Sequence, residues 1–460
     1  MNYPDDTITA ISTPVGQGGI GIVRISGTRA FSIADRIFAS KNNTRPSGAL
    51  SHSMLYGHVI DPINKTPIDE VLVSVMHAPN TYTREDIVEI NCHGGMTPVR
   101  RILEIILQQG AKLAEPGEFT KRAFLNGRIS LSQAEAVLDL INAKTEESLK
   151  IALEQLEGGL SEKLSDIRNV LIETCASVEA YIDFPEEEID TQTVGQTTRK
   201  LAEIKKEIED LSKTFDEARF FREGLSVAIV GRPNVGKSSL LNALLKKDRA
   251  IVTEIPGTTR DIIEDHININ GLPIRIIDTA GIRNSDETVE KEGIRRSLKA
   301  IENADLIIAM LDGNETLKAE DLELLNIIRN KNTLIAINKT DLDMKISSDS
   351  LQEYGKQCLY ISAVTGRGLE ELKTEIFNSN LKDWKEEREG MVVSNIRHKL
   401  ALDRSALSIG NALDLLKDKQ PLEIFSIEIR DALDRIGEIT GAVTTDEILN
   451  KIFSDFCIGK

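Results

Sequence analysis

Cysteine is scarce in this sequence, and the few present do not cluster. Cys92, Cys175, Cys358 and Cys457 are the only four in 460 residues, and no two form a C-x-x-C pair. That argues against a disulfide framework and against a structural zinc site. Missing too is any apolar run of membrane-spanning length, and the opening Met1-Asn2-Tyr3-Pro4-Asp5-Asp6 lacks a basic-then-apolar leader pattern. The expectation is a cytoplasmic protein without membrane association. A basic excess is also absent: 56 Lys and Arg stand against 73 Asp and Glu, a formal net charge of −17. A general nucleic-acid coat draws its affinity from neutralised phosphates, so any action on RNA here needs a local basic patch or a partner. What remains is ordinary soluble composition, 40% hydrophobic and 28% charged, in a chain long enough for two or three domains.

Taken in order, residues 1–118 read as mixed α/β. Strands are expected at Thr7–Thr13, Ile20–Ile25, Val71–Met76 and Ile87–Asn91, with helices over Thr28–Ala39 and Thr97–Gln109. Gly16-Gln17-Gly18-Gly19-Ile20-Gly21 matches G-x-G-x-x-G, but a strand-like run follows where a dinucleotide site needs a helix, so it reads as a turn between strands. Cys92-His93-Gly94-Gly95 offers half a metal site at most and reads as a strand-end turn. Residues 119–220 turn helical. Ser132-Gln133-Ala134-Glu135 fits a capping box, with Leu131, Ala134, Leu138 and Ile141 on one face. Leu149, Leu153, Leu156, Leu160, Leu164, Ile167 and Leu171 then form a seam, a packing stripe on a long helix or a hairpin broken at Gly158-Gly159. The acidic run Phe184–Glu188 ends it, and Thr198–Phe220 is a further amphipathic segment. Residues 221–378 alternate strand and helix, as in a doubly wound, mostly parallel sheet. Residues 379–460 return to helix and are expected to pack on 119–220, leaving the α/β domain as an insertion.

That inserted segment carries the chemistry. Gly231-Arg232-Pro233-Asn234-Val235-Gly236-Lys237-Ser238 fits the phosphate-binding loop, between the apolar run Leu225–Val230 and a helix opening at Ser239. Glycines let main-chain N–H groups converge on an anion, and the helix N-terminus adds partial positive charge. The candidate nucleotide contacts here are Asn234, Val235, Gly236, Lys237, Ser238 and Ser239, with Lys237 on the β/γ-phosphates and the Ser238 hydroxyl on Mg2+. Gly257-Thr258-Thr259-Arg260-Asp261 follows, with Thr259 completing the magnesium shell. Asp278-Thr279-Ala280-Gly281 supplies an Asp that holds magnesium through water and a Gly281 N–H facing the γ-phosphate. In Asn338-Lys339-Thr340-Asp341, the Asp341 carboxylate can accept the ring N–H and exocyclic amine of guanine, a donor pair adenine lacks. Ser362-Ala363 offers a backbone N–H to the guanine carbonyl. Five such elements in order imply GTP with magnesium.

Two departures from the common GTPase plan stand out. Ile282 follows Gly281 where many signalling GTPases carry a water-orienting glutamine, so another group must do that work; Asp286, Glu287, Glu290 and Glu292 are candidates. Asn234 brings a side-chain oxygen toward the phosphates, which suits either a monovalent cation standing in for an arginine finger or a side chain bracing its own turn.

The full chain resembles the MnmE (TrmE) family of potassium-dependent tRNA modification GTPases. Outside the nucleotide motifs the resemblance rests on Thr13–Ser26 (TPVGQGGIGIVRIS), Glu115–Gly127 (EPGEFTKRAFLNG) and the terminal Phe456-Cys457-Ile458-Gly459-Lys460. It implies that residues 1–118 form a constitutive homodimer and bind 5-formyl- or 5,10-methylene-tetrahydrofolate through Arg24, Glu85, Arg128 and Lys460; the family often has Lys where Arg128 stands. It implies potassium on Asn234, Thr253, Ile255 and Thr258, the middle two through backbone oxygens, and magnesium on Ser238 and Thr259. Glu290 becomes the acid that orients water, and Cys457 a cysteine required for modification. By itself Cys457 mimics a prenylation box, but Lys460 is the wrong last residue and no polybasic stretch precedes it. The implied activity, with an FAD-containing MnmG-type partner, is addition of a carboxymethylaminomethyl or aminomethyl group at C5 of the tRNA wobble uridine. The competing readings are a ribosome-assembly or signalling GTPase acting only as a switch, and a helical scaffold with a nearly inactive nucleotide domain. The first needs neither a folate domain nor a terminal cysteine, and intact nucleotide motifs argue against the second.

Overall fold

The computed structural model describes residues 6–14, 16–183, 191–248, 266–277, 298–346, 351, 354, 358–381, 384 and 390–460. The first sheet comprises β1 (Ile8–Ile11), β2 (Ile20–Ser26), β3 (Phe38–Ser40), β4 (Ser53–Ile60), β5 (Pro67–Met76), β6 (Ile87–His93) and β7 (Lys112–Leu113). Its spatial order is β3-β4-β5-β6-β2-β1-β7, antiparallel except for the β1–β7 edge pair. Alternation along β5 buries Val71, Val73 and Val75, and that face packs with α1 (Ala30–Ile37) and α2 (Met96–Gln108). The helix expected over Thr28–Ala39 stops at Ile37, because Phe38–Ser40 pairs with β4 instead. No expectation covered β4: its solvent face carries Met54 and Tyr56, which blurs the alternation that marks a strand. The glycine-rich run at Gly16–Gly21 does lead into β2 rather than a helix, and Cys92-His93 closes β6. Burial pushes the Cys92 thiol up to about 11, so it is an inert core residue.

Helices follow: α3 (Glu118–Leu125), α4 (Leu131–Asn142), α5 (Glu146–Glu157), α6 (Gly159–Asp183), α7 (Thr191–Lys213) and α8 (Phe215–Glu223). The capping box of α4 uses Ser130 and Gln133, two residues before the expected start, and this frees Glu135 for a buried role described below. The leucine seam breaks at Gly158, whose φ of 102° caps α5. Leu160, Leu164, Ile167 and Leu171 are core residues of α6, whereas Leu149 and Leu153 face solvent. In α5 the buried positions are Ser148, Ile151, Ala152 and Gln155, because that helix packs through a partly polar face. The acidic run Phe184–Glu188 lies outside the described residues.

Helix α8 leads into the second sheet: β8 (Leu225–Val230), α9 (Lys237–Asp248), β9 (His266–Ile269), β10 (Leu272–Ile276), β11 (Leu306–Asp312), α10 (Ala319–Ile327), β12 (Thr333–Asn338), β13 (Cys358–Tyr360) and α11 (Leu369–Asn380). Order β13-β12-β11-β8-β10-β9 is parallel throughout except for the β9–β10 hairpin. Strands β8, β11 and β12 are buried along their whole lengths, as a sheet covered on both faces requires. The chain then continues as α12 (Ile396–Lys417), α13 (Leu422–Thr440) and α14 (Asp446–Ser454). Helices α12 and α13 share one core with α6 and α7, through Leu164, Leu171, Ile208, Leu402, Ile409, Phe425 and Ile436. The fold is therefore a multidomain α/β plus α arrangement in which the second sheet interrupts a helical unit. Both of its ends rest on α5: Ser148 Oγ donates to the Phe221 carbonyl at 2.6 Å, and Gln155 Nε2 to the Val392 carbonyl at 3.1 Å. Among the described residues no helix is long and apolar enough to cross a membrane.

Candidate nucleotide site and a second cleft

The loop between β8 and α9 has the backbone that its glycines permit. A Cβ on Gly231 would sit 2.4 Å from the Met310 carbonyl oxygen, and one on Gly236 (φ 102°) 2.2 Å from Asn338 Nδ2. Asn234 occupies the left-handed region at φ 63°, which asparagine tolerates better than most residues, so the backbone alone favours it there. Lys237 Nζ donates to the carbonyls of Gly231 at 2.7 Å and Arg232 at 2.8 Å. Burial holds its pKa below the usual lysine value. A partly buried ammonium with neutral oxygens as partners is suited to an anion. Arg232 points the other way, donating to Asp321 Oδ1 at 2.7 Å and Glu315 Oε2 at 3.1 Å, which pins the loop to the start of α10.

Asn338, at the end of β12, joins the base-recognition segments to this loop. Its Nδ2 donates to the Val235 carbonyl at 2.8 Å, and its Oδ1 accepts the Ala363 N–H at 3.0 Å. The Ala363 amide, expected on a guanine carbonyl, is thus directed at Asn338. Lys339 Nζ reaches Asp312 Oδ2 at 2.5 Å, and Ser362 Oγ donates to Asp341 Oδ1 at 2.6 Å. The Ser362 hydroxyl is the main reason that the Asp341 carboxyl lies below its ordinary range. Asn234 to Ser239, Asn338, Lys339, Asp341, Ser362 and Ala363 are therefore assembled around the ends of β8 and β12. Thr253, Ile255, Thr258, Thr259, Asp278, Gly281 and Glu290 lie outside the described residues, as do Ile282, Asp286, Glu287 and Glu292. Among the described residues no group of three or more His, Cys, Asp or Glu could hold a metal ion. The expected magnesium and potassium ligands are instead hydroxyl, amide and main-chain oxygens.

A second cluster forms on the first sheet. Tyr82 lies between Arg128, whose guanidinium is 4.8 Å from the ring centre, and Arg24 at 6.0 Å; Arg24 is also 5.4 Å from the Phe119 ring centre. Arg24 Nε donates to Glu89 Oε1 at 2.7 Å, and Ser26 Oγ to Glu85 Oε2 at 2.7 Å. Beside Tyr82 and Arg128 opens a cleft of about 400 Å³, lined also by His52, Thr81 and Arg84. The last four residues reach this region from the far end of the chain. Ile458 bridges to Pro116, the Phe119 N–H donates to the Lys460 carbonyl at 3.2 Å, and Arg24 Nη1 and Ser12 Oγ donate to the Gly459 carbonyl at 3.4 and 3.1 Å. Phe453 and Phe456, buried against Leu131 and Ala134, hold the tail from behind. Of the four expected folate residues, Arg128 lines the cleft, Arg24 approaches the Tyr82 ring, Glu85 follows in the same loop and is held by Ser26, and Lys460 is placed by its carbonyl, which accepts the Phe119 N–H. The exposed Cys457 stands at the tail's start. Tyr82, Phe119 and a buried Arg122 were missed in the sequence. A tyrosine in the Pro-, Asn- and Thr-rich stretch His77–Arg84 was one signal, and the Glu115–Gly127 run, which contains Phe119 and Arg122, was another.

Comparison with known proteins agrees along the whole chain. A family model described as "GTP-binding protein TrmE N-terminus" matches residues 7–128, and one described as "MnmE helical domain" matches 131–457. The tRNA modification GTPase MnmE of Alkaliphilus oremlandii is 50% identical over 460 residues, 100% of both chains. Proteins of that name from Clostridioides difficile and Geobacillus kaustophilus are 46% identical over 460 residues, all of this chain, and 45% identical over 458, 99% of each chain. Among solved structures, the G domain of the T. maritima FeoB iron transporter is 29% identical, covering 34% of this chain and 98% of that one, with a TM-score of 0.25. On the evidence of its matches from one end to the other, the chain belongs to the MnmE (TrmE) family of tRNA modification GTPases.

Proposed function

We propose that the chain hydrolyses GTP as a homodimer and, with an FAD-containing MnmG-type partner, directs addition of a carboxymethylaminomethyl or aminomethyl group to C5 of the tRNA wobble uridine. The observation that carries the nucleotide half is the Asn338 tie between phosphate loop and base-recognition loop. Lys237 and the loop amides hold phosphate, Ser238 with Thr259 holds Mg2+, and Asp341 reads guanine. Magnesium, when bound, neutralises charge developing on the phosphates. Asn234, with Thr253, Ile255 and Thr258, takes potassium, and Glu290 orients the attacking water.

The second cleft supports the one-carbon half. Tetrahydrofolate joins a flat ring rich in N–H donors to carboxylates. Tyr82 offers a ring face, Glu85 an acceptor, and Arg24, Arg128 and Lys460 positive charge, while Phe119 is wholly buried and packs beneath Arg24. Folate supplies the transferred carbon. Cys457 brings a thiol to the same tail, and nucleotide-driven movement is passed through α5, which holds both ends of the nucleotide domain.

Nucleoside analysis of tRNA from cells lacking the gene tests this reading. The modified wobble uridine should disappear, and unchanged wobble uridines would remove the modification claim while leaving GTP hydrolysis standing.

A further inference from the structure

We propose that Arg122, buried on α3 against the loop that carries Tyr82 and Glu85, is the positioning residue of the one-carbon site and holds both Glu85 and the C-terminal peptide in place. The inference rests on the folate reading above and names what that site depends on. Arg122 is 1% exposed, so it cannot itself line the cleft. Its Nη2 donates to Asp6 Oδ1 at 2.6 Å and Glu118 Oε1 at 2.7 Å, and its Nη1 to Glu85 Oε1 at 3.2 Å and the Asp6 carbonyl at 3.1 Å. One cation thus faces three carboxylates. Burial disfavours its charge, but Glu118, Glu85 and Asp6 outweigh that and raise its pKa above the ordinary arginine value.

Each carboxylate passes the constraint outward. The other oxygen of Glu85 accepts from Ser26, which fixes the carboxylate in the loop that carries Tyr82. The same loop is tied to α3 by Tyr82 Oη with Thr120 Oγ1 at 3.0 Å and by Asn126 Nδ2 to the Thr83 carbonyl at 2.6 Å. The other oxygen of Glu118 accepts the Glu115 N–H at 2.8 Å and shapes the turn into α3. That turn receives the tail through Pro116, Gly117 and Phe119. Without the guanidinium, Glu85 and Glu118 lose their shared cation, and Asp6 is left with Lys112, whose Nζ lies 3.0 Å from its other oxygen. A lysine keeps one charge, but its single ammonium cannot reproduce a planar fork directed at several carboxylates.

The test uses the full-length protein with R122K and E118Q. Folate affinity is read by titration with 5-formyltetrahydrofolate, tail seating by the rate at which carboxypeptidase B releases Lys460, and the nucleotide domain by affinity for fluorescent GDP, with thermal melting as the check on folding. R122K should weaken folate binding by about tenfold or more and speed Lys460 release, with GDP affinity unchanged. E118Q keeps the side-chain shape and should speed Lys460 release with a smaller loss of folate affinity. Retained folate affinity with unchanged release in R122K overturns the proposal; so does a loss of folate affinity that comes only with a parallel loss of GDP affinity. If the unaltered protein binds no folate, the folate reading fails, and the release assay still decides whether Arg122 seats the tail.

Discussion

Asn338 Nδ2 donates to the Val235 carbonyl at 2.8 Å, so a side chain of the guanine-recognition segment holds the main chain of the phosphate loop. The two segments are about a hundred residues apart, and base and phosphate sites form one rigid unit through this contact and its companion to Ala363. Asn338→Ala leaves the Val235 carbonyl and Ala363 amide without these partners, at about 1–3 kcal/mol for each buried group. Guanine nucleotide affinity should fall by about tenfold or more, as read by titration with a fluorescent analogue. Unchanged affinity would show that the two loops are held independently.

Asp341→Asn should exchange guanine preference for xanthine, because the amide side chain presents a donor where the base then offers an oxygen. Competition between GTP and XTP measures it. In the unaltered protein the Ser362 hydroxyl depresses the Asp341 pKa from 3.8. A depressed carboxylate keeps its acceptor character until pH falls below that ordinary value. GTP affinity should therefore show no Asp341 titration between about pH 5 and 8.

Gly459 sits at φ 97°, and a Cβ there would lie 2.2 Å from the Ile11 carbonyl oxygen. Gly459→Ala must lift the tail from β1, since backbone cannot yield as a flexible side chain does. Modification should be lost in reconstituted assays while GTP hydrolysis stays near normal. Retention of modification would mean that the tail acts from another position.

Glu135 is 6% exposed and accepts from Arg397 Nη2 at 2.6 Å and His398 Nε2 at 2.7 Å, joining α4 to α12. Burial pushes its pKa up, but His398 and Arg397 prevail and lower it from 4.5 to about 2. Because the folded pKa is depressed, the stabilisation is complete above pH 4.5 and fades as pH falls toward 2. Glu135→Ala should cost about 3–5 kcal/mol at neutral pH in urea titrations, and the difference from the unaltered protein should narrow below pH 4.5. A difference that is constant with pH would assign the loss to packing alone.

On the proposed reading a potassium ion at Asn234 would supply the charge that an arginine finger gives elsewhere, so replacing potassium by sodium should depress GTP turnover sharply. Steady-state hydrolysis in matched chloride salts measures this, and equal rates in both reject a cation at Asn234.

The phosphate loop, Asn338-Lys339-Thr340-Asp341 and the strand-turn reading of Gly16–Gly21 were legible because each is a run of neighbouring residues whose local backbone carries its chemistry. Alternation and helical spacing likewise disclosed both α/β regions and most helices. Beyond that range, only tertiary structure decides. Nothing near Leu149 or Leu153 tells that they face solvent, since periodicity defines a stripe without naming what covers it. Residues Ser132 to Glu135 have the spacing of a cap, yet Ser130 takes that role because Arg397 and His398, more than 260 positions away, draw Glu135 inward. Arg122 looks like any helical arginine until Asp6, Glu85 and Glu118 surround it, and the tail finds its place only where Pro116 and Arg24 meet it. Local order follows from covalent neighbours; partners far apart in the chain are selected by the packing of the whole.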